Sequence, residues 1–322
     1  MSDTNIQDTL NKVQKAMTTP TYVEGAILTR ENLDGFINSL VEKETPFRDR
    51  LPRKKGSGLA ASWNVLTAIG SSTAAFTEGG TPTEDSTTYD RRSAIYKELG
   101  KTKTVSDRMI AAGESFTDIE SQLTEAALRE VILDEEQLIV TGDTGVSALY
   151  FDGLVALVTT NTTDDANNAL GFRTSLLDSA IETLLETYGV RPTAIYCGYG
   201  MKRAINQSLA GDVRVNLDAT NEVSTGVEVG MYQSMVGKIP FVASFAIASD
   251  TTTYVGNTVE DIYIVTEKAQ GQDVLYMQDL YGLGKTMLDR TGAAVQFMVT
   301  EATVFVNRAE EFHVRIQNVR TA

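Results

Sequence analysis

The sequence predicts an α+β protein in which a mixed α/β domain is inserted into a domain built from one long helix and the C-terminal strands. Three observations support this prediction. Residues 115–142 keep helical periodicity over an unusual length, residues 146–285 alternate between strand and helix patterns, and residues 286–322 have the pattern of two long strands. Because the long helix and these last strands flank the alternating segment, that segment is expected to form a domain of its own.

The long helix is predicted from Phe116 to Thr141. Its apolar residues recur at steps of three, four or seven positions, and no proline or glycine interrupts the run. A capping box that begins at Ser115 or Thr117 would satisfy the first free amide groups, and Gly142 suits a left-handed stop. At ~1.5 Å per residue the helix would be about 39 Å long, roughly twice the usual length in globular proteins.

The alternating segment has clear boundaries between its elements. Helices are predicted over residues 172–188 and 199–209, with a polar loop at 211–226. Strand patterns cover residues 191–198, 230–248, 258–268 and 273–280. The two strands of the last segment, residues 286–322, are predicted to pack against the long helix.

Charge is distributed unevenly along the chain. The formal net charge is −15, made up of +1 over residues 1–55, 0 over 56–112 and −16 over 113–322. The long helix contributes strongly, because residues 114–142 carry eight acidic side chains and a single base, Arg129. It should form a solvated outer face or meet a basic partner segment. An acidic body of this kind should repel the phosphates of nucleic acid rather than bind them.

The N-terminal segment, residues 1–55, is predicted to be an extended arm. A short helix is expected from Asn32 to Glu44, ending before Pro46 because a residue that precedes proline resists helix. The basic residues between 48 and 55 follow. This basic segment is a solvated turn, a nucleic-acid contact or a docking segment for an acidic neighbour. The arm has no signal-peptide pattern, and no apolar run in the chain approaches the ~18 residues of a transmembrane helix.

Residues 57–108 are predicted to form a long two-stranded excursion with a glycine-rich tip near Gly79 and Gly80. The first strand has few large apolar side chains, and the second alternates polar and apolar residues. An isolated hairpin is only marginally stable in water, so the excursion should need a partner surface. Basic residues that an acidic helix could accept lie on its return strand: Arg91, Arg92, Lys97, Lys101 and Lys103.

Two phosphate-binding motifs are incomplete. GYGMKR starts like a dinucleotide loop, but Arg203 stands where the third glycine should be. GLGKT ends like a Walker A motif, but its first glycine is replaced by Asp279. The acidic pairs at 164–165 and 260–261 could hold Mg²⁺ or Ca²⁺, although such pairs usually lie in solvated turns.

Nucleophilic and zinc chemistry lack candidates. The single histidine, His313, is expected on a C-terminal strand, and the single cysteine, Cys197, is expected to be a buried strand thiol. One cysteine and one histidine cannot form a disulfide or a Cys/His zinc site within one chain. The sequence therefore predicts no catalytic, cofactor-binding or metal-binding residues.

The order of arm, unsupported hairpin, long helix, inserted α/β domain and closing strands resembles one family. Local sequence adds to this in VGMYQSMVGKIPFVAS, residues 229–244, and in residues 261–316, where a long strand carrying Glu301 leads to a turn with Asn307. The chain resembles the tailed-bacteriophage major capsid protein with the Hong Kong 97-type fold.

The resemblance implies a role for each segment. Residues 1–55 would be the N-terminal arm, 56–112 the extended E-loop, 113–145 with 286–322 the peripheral domain with its spine helix, and 146–285 the axial domain. The loop at 211–226 would lie at the capsomer axis.

The resemblance also implies partners. Copies of the chain would form hexamers and pentamers of an icosahedral head in the virion, assembled in the host cytoplasm. The head would enclose double-stranded DNA without reading its sequence, and no membrane is expected. A portal and a separate scaffold protein are expected, with a decoration protein as an option, since the chain lacks the long scaffolding extension of some relatives.

The charge pattern suggests how neighbouring copies meet. The basic residues of the return strand, together with Arg53, Lys54 and Lys55 of the arm, are hypothesised to dock on the acidic spine of an adjoining copy. Two other functions remain open. One is an encapsulin-like compartment with the same fold around cargo enzymes, and the other is an α/β nucleotide-binding enzyme.

Overall fold

The structure is a computed structural model, and it describes residues 43–70, 74–113, 118–165, 171–209, 230–250, 258–290 and 292–321. The predicted loop at 211–226 and most of the predicted helix at 32–44 lie outside these residues. In chain order, the described helices are α1 (Pro46–Arg50), α2 (Asp107–Gly113), α3 (Ile119–Thr141), α4 (Leu154–Leu157), α5 (Thr174–Tyr188) and α6 (Tyr199–Leu209), with a short 3-10 turn at Glu310–Phe312.

The described strands form two main sheets and two small hairpins. In chain order they are β1 (Arg53–Lys55), β2 (Ala60–Ala68), β3 (Thr88–Ile95), β4 (Lys97–Ser106), β5 (Thr162–Asp164), β6 (Ala194–Cys197), β7 (Met231–Ser234), β8 (Gly237–Ala243), β9 (Val259–Val265), β10 (Lys268–Ala269), β11 (Gln272–Asp273), β12 (Leu275–Met287), β13 (Ala294–Asn307) and β14 (Val314–Arg320).

The first sheet has the order β1-β12-β13-β4. β1 is parallel to β12, and the other pairs are antiparallel. The long helix α3 packs on this sheet through Ala127 and Val131, which meet Phe297 and Val299 of β13. The predicted packing of the long helix on the first C-terminal strand is therefore confirmed.

The second sheet has the order β5-β14-β9-β6-β8-β7 and packs against α5 and α6. The prediction that both C-terminal strands pack on the long helix is wrong for β14, which pairs with β9 and β5 instead. Its apolar residues Val314, Ile316 and Val319 complete the core under α5. A bulge after Ile316, with Asn318 at φ 57, keeps Val319 on the buried face.

The excursion is shorter than predicted. β2 and β3 pair along residues 60–68 and 88–95, but β4 leaves the hairpin and enters the first sheet. Val105 of β4 is buried against α3, which explains the change of partner. The predicted basic turn at 48–55 is also ordered differently, because it forms the end of α1 and then β1.

The predicted capping residues Ser115 and Thr117 lie outside the described residues, and the end of the long helix differs in detail from the prediction. Asp118 is the N-cap and accepts hydrogen bonds from the amides of Glu120 and Ser121. Gly142 ends the helix, but at φ −58 and ψ 136 rather than in the predicted left-handed conformation. Glycine is needed there because a Cβ would lie 2.2 Å from the carbonyl oxygen of Phe151.

Gly142→Ala should destabilise the unassembled subunit by about 1–3 kcal/mol, because the methyl group has no space between two backbone segments. Urea unfolding monitored by circular dichroism measures this change. Gly282→Ala is the matched control, since no atom of the described residues lies within 4 Å of a Cβ built there. Equal stabilities of the two variants would contradict the close approach at Gly142.

Candidate assembly elements

Six charged side chains join the start of the described chain to the long helix and the first sheet. They are Arg48 and Arg53 from α1 and β1, Glu135 and Glu136 from α3, Asp279 from β12 and Glu301 from β13. We call this group the arm–spine cluster. Its members lie as much as 253 positions apart in the sequence, from Arg48 to Glu301, so only the folded chain brings them together.

Glu135 lies at the centre of the arm–spine cluster. Its carboxylate is fully buried and forms ion pairs with both Arg48 and Arg53. Arg53 also donates two hydrogen bonds of 3.1 Å to Asp279, whose carboxylate accepts a third, of 2.7 Å, from the hydroxyl of Thr303. The basic segment at residues 48–55 is thus held by α3 of its own chain.

Glu136 ties α1 down through its backbone. Its carboxylate accepts hydrogen bonds from the amides of Phe47 and Arg48, at 3.1 and 2.9 Å, and from the Ser244 hydroxyl at 3.1 Å. These amides belong to the first turn of α1 and have no partner inside so short a helix. The ring of Phe47 stacks on Tyr196, with centroids 4.0 Å apart, and so fixes α1 to the second sheet as well.

Glu301 is the least satisfied member of the cluster. It is 1% exposed, neither oxygen accepts a hydrogen bond from any described residue, and Arg48 and Arg53 lie 4.0 Å away. Burial raises the pKa of Glu301 above its ordinary value, against the opposing attraction of the two arginines. Four carboxylates facing two guanidinium groups make the ionised cluster net negative.

Glu301→Gln should raise the free energy of unfolding of the unassembled subunit at pH 7. The pKa of Glu301 is higher in the folded state, so its ionised form costs stability as pH rises through that pKa. At about pH 4 the side chain of Glu301 is largely protonated in both the folded and the unfolded wild-type protein. The difference in stability between Glu301→Gln and wild type should therefore shrink there. Urea unfolding at the two pH values measures it; a destabilised variant at pH 7 would contradict this account.

The outer face of the long helix is also paired within its own chain. Lys101 and Lys103 of β4 bond to Asp134 and Glu130, and Lys285 of β12 donates 2.7 Å to Glu120. Lys101 and Lys103 were hypothesised to dock on the spine of an adjoining copy, but they pair with α3 of their own chain. Arg53 and Lys54, from the same hypothesis, also pair within the chain, with Glu135 and Asp273. The antiparallel pairing of β4 with β13 places the lysines beside their own α3.

Two arginines on the hairpin behave differently from each other. Arg92 bonds at 2.7 Å to Glu311 of its own chain. Arg91 and Lys55 are both exposed, and neither makes an ion pair with any described residue. Lys97 donates 2.6 Å to the carbonyl oxygen of Ala148 and pairs with no described carboxylate.

The hairpin of β2 and β3 leaves large apolar side chains in solvent. Its base is attached to the body by the Trp63 indole, which donates 3.2 Å to the carbonyl oxygen of Arg308, and by the Arg92–Glu311 pair. Beyond that base, the exposed fractions are 48% for Leu66, 73% for Ile69, 59% for Phe76 and 69% for Tyr89. This is the exposed surface that the sequence assigned to a partner.

The two phosphate-like motifs serve the fold. In GYGMKR the turn closes on Glu260, which accepts 2.7 Å from the Met201 amide; a Cβ at Gly198 or Gly200 would lie within 2.4 Å of that carboxylate. GLGKT lies inside strand β12 rather than in a strand-to-helix loop. In GYGMKR, the carboxylate of Glu260 therefore lies where the phosphate of a dinucleotide would have to bind.

The remaining candidate groups are structural too. His313 is buried beside β14, which lowers its pKa to about 3. Cys197 is a buried free thiol whose pKa burial raises to about 12. Asp165 pairs with Arg173 and Asp261 with Arg315, and no described group of His, Cys, Asp and Glu side chains could hold a metal ion. None of the described helices is both long and apolar enough to cross a membrane.

Residues 6–320 match the family model described as SU10 major capsid protein. The chain belongs to this family. It is therefore a phage major capsid protein, a structural protein that assembles into the shell of the virus particle. A search of the curated proteins finds no match.

Solved structures agree with this assignment at the level of fold. The capsid of a native GTA particle has a TM-score of 0.69 at 13% identity, covering 94% of this chain and 100% of that one. The Mycobacterium phage Ogopogo structure has a TM-score of 0.60 at 11% identity and covers 92% of this chain and 99% of that one. The SrpI encapsulin of Synechococcus elongatus PCC 7942 has a TM-score of 0.65 at 11% identity and covers 94% of this chain and 97% of that one. The resemblance to the Hong Kong 97-type fold is confirmed.

Proposed function

We propose that this capsid protein forms hexamers and pentamers of an icosahedral head around double-stranded DNA, with each hairpin of β2 and β3 lying on an adjoining copy. The role is structural and involves no catalysis. Residues 1–55 act as the arm, the first sheet and α3 as the peripheral domain, and the second sheet as the axial domain. Assembly takes place in the host cytoplasm with a portal and a separate scaffold protein.

The exposed hairpin is the observation that carries the proposal. A two-stranded ribbon is marginally stable alone, and its apolar side chains gain burial only from a second surface. The arm–spine cluster supports the same conclusion from the other side. Because Arg48 and Arg53 already pair with carboxylates of their own chain, the contact between copies depends on the hairpin more than on those charges.

The net charge of −15 fits a container whose contents must move. A negative wall repels DNA phosphates, so packaged DNA is held by enclosure and not by adhesion. This explains how a shell protein without a described basic groove encloses nucleic acid.

Electron microscopy of the purified protein tests the proposal. The protein is expressed alone and, in parallel, with the structural genes of its phage, and the particles are treated with nuclease before their contents are extracted. Closed shells containing protected double-stranded DNA in the second preparation are the expected result. Small discrete oligomers in both preparations would overturn the proposal.

The second candidate function is an encapsulin-like compartment. It is favoured by one observation, the TM-score of 0.65 to the SrpI encapsulin over nearly the full length of both chains. Particle contents distinguish the two functions. Shells that hold folded cargo protein and no protected nucleic acid would favour the compartment.

A further inference from the structure

A cleft of about 710 Å³ lies under the base of the hairpin, between the hairpin and the body of the capsid protein. Its apolar walls include Trp63, Phe151, Leu157 and Phe305. The volume is in the range of pockets that bind ligands or side chains, which is ~300–1,000 Å³.

Asn307, on the wall of this cleft, has a side-chain amide nitrogen with no acceptor among the described residues. The residue is 4% exposed, and its Nδ2 is buried without a hydrogen-bond partner. The side chain cannot turn over, because its Oδ1 accepts bonds from the Ala309 amide and from His313. The Thr266 amide donates to Nδ1 of His313, so the proton of the neutral imidazole is on Nε2 and faces Asn307. The wall of the cleft thus holds a donor whose orientation is fixed and which lacks an oxygen acceptor among the described residues.

Among the charged groups of the cleft, the ammonium of Lys97 has N–H donors left for a carboxylate. Asp152 already accepts from the Thr144 amide, and Glu310 accepts from the hydroxyls of Thr159 and Thr160. Lys97 has a carbonyl partner and no described carboxylate. An occupant that carries an aromatic or aliphatic side chain, an oxygen acceptor and a carboxylate would match the cleft.

The tip of the same hairpin has these groups. Phe76 is exposed, a turn follows it in which the Gly80 amide donates 2.9 Å to the carbonyl oxygen of Thr77, and Glu78 lies in that turn. Residues 74–87 carry three acids and no base. The tip does not occupy the cleft of its own chain, since residues 74–80 are exposed and none of them lines the cleft.

We propose that the turn at residues 76–80 of one copy inserts into the cleft under the hairpin of the next copy. Phe76 enters the apolar walls, Glu78 pairs with Lys97, and an oxygen of the turn accepts from Nδ2 of Asn307. A tip-to-base contact is heterologous, so repeating it with the rotation of a five- or sixfold axis gives a ring. This inference rests on the proposed function and adds to it the residues that join neighbouring copies.

Disulfide trapping tests the contact in assembled shells. In the double variant Thr77→Cys with Ser93→Cys, one new thiol lies in the tip turn and the other on the exposed cleft wall, while the native Cys197 is buried and does not compete. Mild oxidation should give a ladder of covalent multimers. The matched control, Thr77→Cys with the exposed and distant Thr183→Cys, should remain monomeric under denaturing electrophoresis.

The outcomes separate the contact from the wider proposal. Shells that form but give no ladder, or give the same ladder in the control, overturn the tip-to-cleft contact and leave shell assembly intact. Loss of shells in the wild-type sequence as well overturns both.

A charge swap is the second test. Glu78→Lys and Lys97→Glu should each lower shell yield about tenfold, and the two together should restore most of it. A double variant no better than either single one would overturn the contact.

Discussion

Glu135→Gln should lower the free energy of unfolding of the unassembled subunit by about 3 kcal/mol. Its fully buried carboxylate pairs with both Arg48 and Arg53, which are 18% and 27% exposed. Removing it takes from Arg48 and Arg53 the buried carboxylate that both contact, and breaking a buried ion pair costs ~3–5 kcal/mol. The value here is at the lower end because the arginines keep some access to water. Urea unfolding measures the change.

Glu125→Gln on the same helix is the matched control. Glu125 is 63% exposed, and its pair with Arg129 is an exposed one between side chains four residues apart. Such pairs contribute ~0.3–0.5 kcal/mol. If the two variants lose equal amounts of stability, the arm–spine cluster does not hold the arm to the spine.

Replacing residues 66–89 by Asn-Gly should abolish shells while leaving the subunit folded. Val65 pairs with Asp90, so a two-residue turn keeps the register of the shortened hairpin. The deletion removes Leu66, Ile69, Phe76 and Tyr89. Half-burial of each in a neighbour contributes ~1 kcal/mol, and losing all four weakens a pairwise contact about a thousandfold.

Two measurements evaluate this truncation. Urea unfolding should show a subunit within about 1 kcal/mol of wild type, because every described residue between 66 and 89 is exposed. Electron microscopy should show capsomers or free subunits in place of shells. Shells of normal yield and size from the truncated protein would contradict a role of the hairpin between copies.

The sequence was sufficient for elements whose pattern is local. The periodicity of α5 and its stop at Gly189, which has φ 65, follow from spacing and from the conformational freedom of glycine. The long helix was predictable for the same reason. The family resemblance came from the order of such elements, and the matching family model agrees with it.

The arm–spine cluster depends on contacts that spacing alone does not show. Glu135 lies four residues after the buried Val131 and three before Leu138, which is a core position on α3. The signal in the sequence for a buried ion pair was that Glu135 stands at a position where the helical periodicity calls for a core residue. Identifying Arg48 and Arg53 as its partners, in place of a neighbouring copy, required the parallel pairing of β1 with β12.

Strand partners were also beyond the sequence. β14 and β13 have similar alternating patterns, yet one completes the core under α5 and the other packs on α3. Both sheets could accept such a strand, so only the tertiary structure distinguishes them. The position of Gly142 was predicted correctly and its conformation was not, since the close approach of Phe151 is a contact between segments.

A cryo-electron microscopy reconstruction of the assembled shell, examined at the strand pair that ends near Phe76, is the most direct measurement of how copies are joined. In that reconstruction, Leu66, Phe76 and Tyr89 should be covered by an adjoining subunit. A shell in which that ribbon rests on its own subunit, or projects freely into solvent, would contradict it.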